Sequence, residues 1–289
     1  MENHPFNEII RNPAAPFING LASQYGLATN YEAVSHPSLP NYLALIGGST
    51  FGITDDAGPD VHVLGAPNIV DRIEASGRTW KAYMESMPSN CLGTNAGEYA
   101  VRHDPFVYFT DIRSDPARCN RVVPYRQLAN DLRSAATTPN FVWITPNVCH
   151  DMHDCSITTG DRWLADNIPT ILSSPAFTRD RSLLLVTWDE DDGSQHNQVA
   201  ALVIDRHVPT GFRSASAYTH YSLVRTIEDV WNLAPLTPND ATATPLSAFY
   251  APPFNPNARA NRAATSGAQS HEHTCPHRGR SQRGFNPRT

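Results

Sequence analysis

The clearest signal for the fold lies at residues 182–193, which have the sequence Ser-Leu-Leu-Leu-Val-Thr-Trp-Asp-Glu-Asp-Asp-Gly. The apolar run 182–188 is typical of a strand buried on both faces, and it predicts a parallel strand covered by helices. Four carboxylates, Asp189 to Asp192, follow directly. They would repel one another and lose solvation there, so we expect a cation among them, although acidic residues also cap helices or face water in turns. Ligands of open α/β sheets bind at this carboxyl end of the strands.

Apolar runs and helical periodicity alternate over the rest of the chain. Strands are predicted at 79–85, 140–146, 182–188 and 198–204, and helices at 16–25, from 39, at 67–76, 161–173 and 221–233. Strands separated by helical stretches predict an α/β fold with a doubly wound, mostly parallel sheet and helices on both faces. Within one domain, residues 1–254, the irregular segment 88–124 is expected to form a cap-like insert over the site.

A second segment, residues 35–48, has the sequence Ser-His-Pro-Ser-Leu-Pro-Asn-Tyr-Leu-Ala-Leu-Ile-Gly-Gly. The prolines and the apolar run predict a helix that begins near Ser38 and stops at the two glycines. Ser38 would then lie beside unpaired N–H groups at the positive end of the helix dipole, with the Asn41 amide on the same turn. This arrangement suits a hydroxyl nucleophile that binds phosphate, and a plain N-cap serine is the alternative.

The predicted strand 140–146 leads into residues 147–155, with the sequence Asn-Val-Cys-His-Asp-Met-His-Asp-Cys. His150 and His153, each followed by an aspartate, are suited to bind a metal, hold a phosphate or supply a general acid. A lone histidine is usually an ordinary surface or core residue. Two on one tight loop after a strand favour a functional role.

Composition argues against several classes of protein. The 289 residues suffice for one large core, and no run of about 18 apolar residues would span a membrane. A net charge of −6 argues against a nucleic-acid-binding protein. Cys91 with Cys119, and Cys149 with Cys155, are candidate disulfides that indicate an oxidising compartment, while the connectivity and a reduced form stay open.

The chain changes character at about residue 255. Residues 255–289 contain few apolar side chains and many arginines, so we expect a disordered basic tail. Its charge would draw the protein to anionic lipid surfaces. A cluster in the tail is expected to bind metal adventitiously rather than functionally: His271, His273, Cys275 and His277.

Several motifs occur in order along residues 1–233: Glu2-Asn3, His36-Pro37-Ser38-Leu39-Pro40-Asn41-Tyr42, Thr145-Pro146-Asn147, His150-Asp151-Met152-His153-Asp154, Trp188-Asp189-Glu190, Asn197-Gln198-Val199 and His220-Tyr221-Ser222-Leu223. Together they resemble the bacterial phosphoesterase family of acid phosphatases and phospholipases C, in the alkaline-phosphatase-like superfamily. The combination is far more specific than any single motif. Within the family, the chain most resembles secreted acid phosphatases, including phosphatidylinositol 3-phosphatase-like members.

The resemblance implies a metal-assisted reaction at Ser38, which matches the family's metal-bound nucleophile. The family's other metal ligands are matched by Glu2, Asn3, Asp189 and Glu190. The cation would acidify the Ser38 hydroxyl, Asn41 would stabilise negative charge, and Ser38 would be phosphorylated before water releases phosphate. Oxygen ligands favour Mg²⁺, Ca²⁺ or Mn²⁺, and nearby histidines would also admit Zn²⁺ or iron.

A general acid is also needed to protonate the leaving group, and histidine suits this role in mildly acidic medium. Four histidines are candidates: His103, His150, His153 and His220. His103 lies in a segment similar to the family's Lys-His-Asn-Pro-Phe motif, although a histidine packed among aromatic residues is the alternative there. His220 begins a helix where the superfamily's last site histidine is expected. The sequence does not rank the four.

One feature departs from the family pattern. The family places the Glu2-Asn3 pair after a buried first strand, and no strand precedes Glu2 here. Loss of a central strand would expose the ladder groups and apolar faces of its neighbours. We therefore expect translation to begin upstream of Met1, with a signal peptide there, and a secreted or extracytoplasmic protein.

The sequence thus predicts a phosphoric ester hydrolase of the acid phosphatase type, acting on small-molecule or lipid-headgroup phosphomonoesters. Arg102 and His103 in the insert would contact a terminal phosphate, and the insert has no obvious apolar groove for acyl chains. A phospholipase C-type phosphodiesterase is the runner-up. A non-catalytic secreted binding protein of the same fold is the other alternative, but a hydroxyl beside acidic pairs favours an enzyme.

Overall fold

The computed structural model describes residues 1–250 of the chain. Its helices are α1 (Phe6–Ile9), α2 (Pro16–Gln24), α3 (Ser38–Gly47), α4 (Ile69–Ala75), α5 (Thr110–Arg113), α6 (Pro116–Cys119), α7 (Leu128–Asp131), α8 (Ile157–Ser173), α9 (Pro175–Arg179), α10 (His220–Trp231) and α11 (Pro238–Thr242). Its strands are β1 (Gly26–Ala28), β2 (Tyr31–Glu32), β3 (Trp80–Met84), β4 (Val122–Pro124), β5 (Phe141–Thr145), β6 (Leu184–Thr187), β7 (Ala201–Ile204), β8 (Arg213–Ser214) and β9 (Tyr218–Thr219). Single 3₁₀ turns occur at Val101–His103, Pro105–Tyr108, Tyr125–Gln127 and Leu246–Phe249.

The strands form a parallel sheet and a mixed sheet. The first has the order β4-β3-β5, with all neighbours parallel and Trp80 in register with Phe141. The second has the order β6-β7-β1-β8, and β2 and β9 make a separate parallel pair. Helices and parallel strands in one chain confirm the predicted α/β class.

The strand predicted at 182–188 differs from the expectation of a fully buried parallel strand. β6 covers only Leu184–Thr187, its side chains are half-buried, and it pairs antiparallel with β7. The connection 188–200 contains no helix. Because parallel pairing needs a long crossover, usually helical, the chain turns back beside the strand that it has just left.

The two larger of three apolar clusters in residues 1–250 pack against these sheets as follows. In one, α2 and α8 lie together near β1 and β7, with Ile18, Leu27 and Val203 buried. In the other, α3 and α10 lie together near β3, with Leu43 and Trp80 buried. The α3–α10 pair therefore packs α3, which carries the predicted nucleophile, into the same core as β3.

Segment 88–124 is more deeply integrated than the expected cap. Phe106, Tyr108 and Phe109 are fully buried in the core around β3. At the end of the segment, Val122–Pro124 forms β4 and extends the parallel sheet. Aromatic side chains bury large apolar areas, so this irregular stretch contributes packing that its lack of periodicity did not predict.

Capping residues set the ends of two helices, α8 and α3. α8 begins at Ile157 rather than 161, because the Ser156 side chain accepts a hydrogen bond from the Thr159 N–H. α3 stops at the glycine pair as predicted, with Gly48 in the left-handed region at φ 65°. The short strands β1, β2, β8 and β9 were not predicted, because two or three residues show no usable alternation.

Both candidate disulfides are present: Cys91 is bonded to Cys119, and Cys149 to Cys155. Among the helices of residues 1–250, none combines the length and the apolarity that a membrane span requires. The predicted basic tail, 255–289, lies outside the described residues, as does its histidine and cysteine cluster.

Gly160 allows α8 to lie against the 150–152 segment, because an added Cβ would overlap the Met152 side chain and lie 2.9 Å from the His150 carbonyl oxygen. We predict that Gly160→Ala lowers the free energy of unfolding by about 1–3 kcal/mol through overpacking, as measured by urea denaturation. The control is Gly20→Ala within α2, where a Cβ meets no atom within 4 Å. It should stabilise by about 0.5–1 kcal/mol. Equal effects of the two substitutions would contradict the close packing.

Candidate active site

Ser38 is the first residue of α3, and its hydroxyl lies between two carboxylates. Its Oγ is 3.0 Å from Glu190 Oε1 and 3.2 Å from Glu2 Oε2, and the residue is 2% exposed. One hydroxyl hydrogen is therefore shared by two acceptors. The structure thus brings the predicted nucleophile together with two of its predicted metal ligands, which are separated by 188 positions in the sequence.

The turn before α3 is held by Asn41, and this differs from the predicted role of Asn41 as an oxyanion donor. Its Oδ1 accepts hydrogen bonds from the N–H groups of Val34 and Ser35, each at 3.0 Å. Its Nδ2 donates to the carbonyl oxygens of Ser35 and Pro37 at 2.8 and 3.2 Å. Both amide hydrogens are engaged by the backbone, and this arrangement suits a residue that positions Ser38 more than one that binds a phosphoryl oxygen.

A group of buried carboxylates surrounds Glu2: Asp151, Asp189 and Glu190. The backbone brings them together, because the Glu2 N–H donates to the Asp151 carbonyl at 2.8 Å and the Asp189 N–H donates to the Met1 carbonyl at 3.0 Å. Asp151 was not among the predicted ligands, although it lies in the quoted His-Asp-Met-His-Asp motif. Metal or acid chemistry was predicted for its neighbours His150 and His153. The buried group is the Asp151 carboxylate that lies between them in the sequence.

Burial makes these carboxyl groups hold their protons more tightly than usual. Desolvation, then the charges of Asp189 and Asp151, raise the pKa of Glu2 well above its ordinary value. Burial likewise raises the pKa of Asp189, that of Asp151 to about 6, and that of Glu190, helped by the Asp189 charge, to about 8. Like charges in a dry site are unfavourable unless a cation neutralises them.

Unpaired polar atoms show that the group fits a divalent cation. Asn3 Oδ1 and Asp189 Oδ2 are buried without a hydrogen-bond partner in the described part of the chain. The Asn3 backbone N–H lies 3.4 Å from Asp189 Oδ1, so Asn3 adjoins the Asp189 side chain. Carboxylate and amide oxygens are hard ligands, which suit Mg²⁺, Ca²⁺ or Mn²⁺. All of the predicted ligands, Glu2, Asn3, Ser38, Asp189 and Glu190, therefore converge on one region.

His103 lies inside this group. Its Nδ1 is 3.2 Å from Asp151 Oδ2, its Nε2 is 3.4 Å from Glu2 Oε2, and its ring stacks on Tyr42 with the centroids 5.1 Å apart. Burial, and then the Arg102 charge, lower the pKa of His103 to about 3. One ligand atom each from Glu2, His103 and Asp151 lie within 4.8 Å of one another. A neutral imidazole here suits metal binding more than proton donation, and it would widen the choice to Zn²⁺ or iron.

His153 lies at the rim beside His103, with the two ring centroids 5.9 Å apart. Its Nδ1 is 2.6 Å from Asp154 Oδ1, and the Arg102 guanidinium lies 3.1 Å from its Nε2. The side chain is 29% exposed, so solvent and substrate reach it. A carboxylate-paired, accessible imidazole fits a general acid best among the four predicted histidines.

The His150 side chain contacts Glu85 and Trp163. Its Nδ1 is 3.0 Å from both Glu85 carboxylate oxygens, and its ring stacks on Trp163. The Trp163 indole N–H donates to the same Glu85 at 2.9 Å, and so does the Asn147 N–H at 3.0 Å. These contacts fasten the 147–155 loop to β3 and α8, which suits a structural role for His150.

His220 contacts the backbone of the acidic loop at Asp189. Its Nε2 is 2.6 Å from the Asp189 carbonyl oxygen, and its Nδ1 is 2.9 Å from the Tyr31 hydroxyl. Burial lowers the pKa of His220 to about 4, so the neutral ring donates from Nε2 to the carbonyl and accepts at Nδ1. Both nitrogens are engaged, and this arrangement suits a residue that positions Asp189 rather than one that protonates a leaving group.

Two further residues touch the site and were not predicted. The Tyr42 hydroxyl donates to Glu2 Oε1, and His36 Nδ1 contacts Glu190 Oε2. His36 Nε2 also lies 3.3 Å from Asp191 Oδ1. Both residues flank Ser38 in the motif quoted for residues 36–42, and that proximity is the only sequence signal that points to them.

The comparisons with known proteins identify the family. Residues 8–234 match the model of the Phosphoesterase family. The chain belongs to the phosphoesterase family. It is 35% identical over 250 residues to a phosphatidylinositol-3-phosphatase of Mycobacterium tuberculosis, with 86% of this chain and 80% of that protein covered. Membership and relatives of this kind make the chain a phosphoric ester hydrolase, as the motifs predicted.

Fungal acid phosphatases are also similar to this phosphoesterase. It is 32% identical to a phosphate-repressible acid phosphatase of Penicillium chrysogenum over 76% of this chain and 55% of that one. It is 31% identical to an acid phosphatase of Aspergillus fumigatus, over 75% of this chain and 50% of that one. The chain thus spans about half the length of these fungal relatives.

The fold is similar to solved structures, one of which is described as a protein of the alkaline phosphatase superfamily. A superfamily protein from Vibrio parahaemolyticus superposes with a TM-score of 0.53 at 15% identity, over 81% of this chain and 65% of that chain. A phosphonate monoester hydrolase of Agrobacterium radiobacter superposes with a TM-score of 0.53 at 11% identity, over 85% of this chain and 77% of that chain. At these identities the likeness concerns the fold alone, and it confirms the predicted alkaline-phosphatase-like architecture.

The raised carboxyl pKa values predict how stability depends on pH without bound metal. Because these groups titrate higher in the folded than in the unfolded chain, the folded state holds more protons, so its stability falls as pH rises from about 4 to about 8. Thermal unfolding in chelator across this range should show a falling Tm. Mn²⁺ or Ca²⁺ should restore the Tm at pH 8.

Glu190→Gln removes the group whose pKa is about 8, so its metal-free Tm should fall less steeply and respond less to added cation. Asp192→Asn is the control, because Asp192 is exposed beside the site. Its Tm should change with pH and with added cation as the Tm of the unmodified protein does. A Tm that rises with pH in chelator would contradict the buried, uncompensated carboxylates.

Proposed function

We propose that the protein is a metal-assisted phosphomonoesterase that forms a phosphoserine at Ser38. The observation that carries this proposal is the Ser38 hydroxyl, shared between Glu2 and Glu190 at the start of a helix. A binding protein has no need for a nucleophilic hydroxyl among buried carboxylates. The phosphatase names of the relatives support the same reaction class.

The cation would be held by the side chains already assembled around Ser38: Glu2, Asn3, Asp151, Asp189, Glu190 and His103. When bound, it would supply positive charge that lowers the Ser38 hydroxyl pKa and draws charge from the phosphoryl oxygens. The hard oxygen donors favour Mg²⁺, Ca²⁺ or Mn²⁺, and His103 makes Zn²⁺ or iron acceptable. Neutralising the carboxylates would also remove their mutual repulsion.

The side chains divide the chemistry between them. The Ser38 proton passes to one of its carboxylate acceptors as Oγ bonds to phosphorus, and the bond from phosphorus to the leaving oxygen breaks. His153, paired with Asp154, gives that oxygen its proton. Water then gives a proton to His153 as its oxygen bonds to phosphorus, the bond to Oγ breaks, and Oγ takes its proton back from the carboxylate, so that phosphate leaves with Ser38 and His153 restored.

Phosphomonoesters are the proposed substrates, including phosphoinositide headgroups. Arg102 lies beside His153 and 3.9 Å from Asp56, whose Oδ1 accepts from the N–H of Leu39, next to Ser38. A guanidinium at this rim would pair with the two free oxygens of a monoester dianion, and a diester offers fewer. The named activity of the Mycobacterium tuberculosis relative supports a phosphoinositide substrate.

An oxidising location outside the cytoplasm is also proposed. It rests on the Cys91–Cys119 and Cys149–Cys155 disulfides. Disulfides persist in secreted and periplasmic proteins and are rare in the cytosol. The second bridge encloses the loop that carries Asp151 and His153, so reduction would loosen part of the site.

Ser38→Ala should lower kcat/KM for p-nitrophenyl phosphate by about 10³-fold or more, since the covalent route is lost while the fold is kept. Ser23→Ala on the surface of α2 is the control and should retain activity. Circular dichroism checks that both are folded. Near-normal turnover by Ser38→Ala would refute the phosphoserine mechanism. Equal turnover before and after exhaustive chelation would refute metal assistance, and no turnover with any cation would favour the binding protein.

Arg102→Gln should lower kcat/KM for p-nitrophenyl phosphate by about 10- to 100-fold, as expected for one charge-assisted contact. It should change kcat/KM for bis-p-nitrophenyl phosphate much less. Arg126→Gln, on an exposed arginine of the same chain, is the control. If the unmodified protein cleaves the diester faster than the monoester, the phosphodiesterase alternative is correct.

A further inference from the structure

A second group of buried carboxyl side chains lies near the C-terminal end of α3, away from Ser38 at its start. Glu228 in α10 is 1% exposed, and Asp240 in α11 is fully buried. Both accept a hydrogen bond from the Leu236 N–H, whose nitrogen is 3.1 Å from Glu228 Oε1 and 2.7 Å from Asp240 Oδ2. These two residues, the carboxyl pair, share one donor and therefore lie side by side.

No cation neutralises the carboxyl pair. Within residues 1–250, neither member forms an ion pair with an arginine, lysine or histidine, and no donor reaches the buried Glu228 Oε2. The charge of Arg225 acts on Glu228, but the Arg225 guanidinium is ion-paired with Asp229 at 2.8 Å. Two adjacent negative charges in a dry site repel each other strongly, so the pair is stable only when one member keeps a proton.

The elements packed against α10 contribute no opposite charge. They are α3, α11, β9 and the 3₁₀ turn Leu246–Phe249. His220 contacts the Asp189 carbonyl, and Arg78, next to α4, lies over the Trp231 ring. Besides Glu228, the titratable groups of α10 and these elements are His220, Tyr221, Arg225, Asp229, Tyr42, Tyr218 and Asp240.

The carboxyl pair fixes a segment that caps α3. Asp240 Oδ1 accepts from the Thr237 N–H at 2.9 Å. The Thr237 hydroxyl and the Asn239 side-chain nitrogen lie 2.8 and 3.0 Å from the carbonyl oxygen of Gly48, the residue that ends α3. The last carbonyl groups of a helix lack intrahelical partners, and these contacts satisfy one at the helix end. A Cβ on Gly48 would lie 2.4 Å from Asp240 Oδ1, so only glycine permits this approach.

We propose that the carboxyl pair shares one proton and acts as a pH-sensitive switch for the capping segment, residues 236–240. When that proton passes to solvent, both members are charged, and their repulsion separates α11 from α10 and releases the Gly48 carbonyl. Because α3 carries Ser38 at its other end, the switch connects the acidity of the medium to how firmly this helix is held. The switch does not depend on the proposed catalytic reaction.

The switch is closed in acid and opens as the pH rises. Burial, and then the adjacent Asp240, raise the pKa of Glu228 to about 8. In an open, solvated state the pKa of this side chain would be about 4. The closed state therefore holds a proton that the open state releases, so closure is strongest below about pH 4 and weakens as the pH rises to about 8.

Hydrogen exchange of the full chain at about pH 5 and about pH 8 tests the switch. The Leu236 and Thr237 amides donate to the carboxyl pair, and their protection factors should fall by about tenfold or more between these two pH values. The Leu202 and Val203 amides of β7 are the references for global unfolding, because they lie in the other core.

Glu228→Gln keeps the size of the side chain and supplies an N–H donor that does not titrate. Relative to the references, its protection factors at Leu236 and Thr237 should change by less than about threefold over the same range. Glu32→Gln is the matched control, because Glu32 is exposed in β2. It should show the same pH dependence at these amides as the unmodified protein.

Equal protection of Leu236 and Thr237 at both pH values in the unmodified protein would overturn the proposal. So would a fall that only parallels the fall at Leu202 and Val203, or a Glu228→Gln variant that keeps the pH dependence of the unmodified protein. If Glu228→Gln does not fold, Glu228→Met replaces it, since methionine also removes the titrating group. Phosphatase activity enters none of these readings, so failure of this proposal is distinguishable from failure of the catalytic one.

Discussion

The main energetic cost in this structure comes from several carboxylates that are buried close together around the Ser38 hydroxyl. Desolvation alone makes their ionisation costly, and their proximity adds repulsion. Much of the surrounding structure holds these groups in place in spite of that cost. Tyr42 donates to Glu2, His220 supports the Asp189 carbonyl, and Asn41 fastens the turn before Ser38. A cation in the same space would turn an unfavourable cluster into a binding site.

The cluster also explains why histidine-rich segments contribute in different ways. His103 is enclosed with the carboxylates and stays neutral, while His153 lies at the rim with its side chain partly exposed. His150 and His220 are engaged by Glu85 and by the backbone, respectively. Identical side chains thus suit different proposed roles, as ligand, acid or scaffold, because their burial and partners differ, and sequence spacing encodes neither.

The sequence was sufficient for the α/β class, the helix that begins at Ser38 and the acidic loop after residue 188, because these depend on local periodicity and on strand ends. It was insufficient for β6, whose antiparallel partner is decided by the return of a loop without a helix. Asn41 shows a similar limit of the sequence. An amide next to a nucleophile has the same sequence signature whether it faces a ligand or the preceding turn, and only tertiary packing selects between them.

The residues of the site are far apart along the chain. Ser38 and Glu190 are separated by 152 positions, and Met1 meets a carbonyl 186 positions away. Such contacts close long loops, so they form late in folding and contribute to slow folding. During synthesis Glu2 and Ser38 leave the ribosome long before Glu190 does. The nascent chain therefore carries the proposed nucleophile with an incomplete carboxylate cluster, and the cluster is completed only after Asp189 and Glu190 have been made.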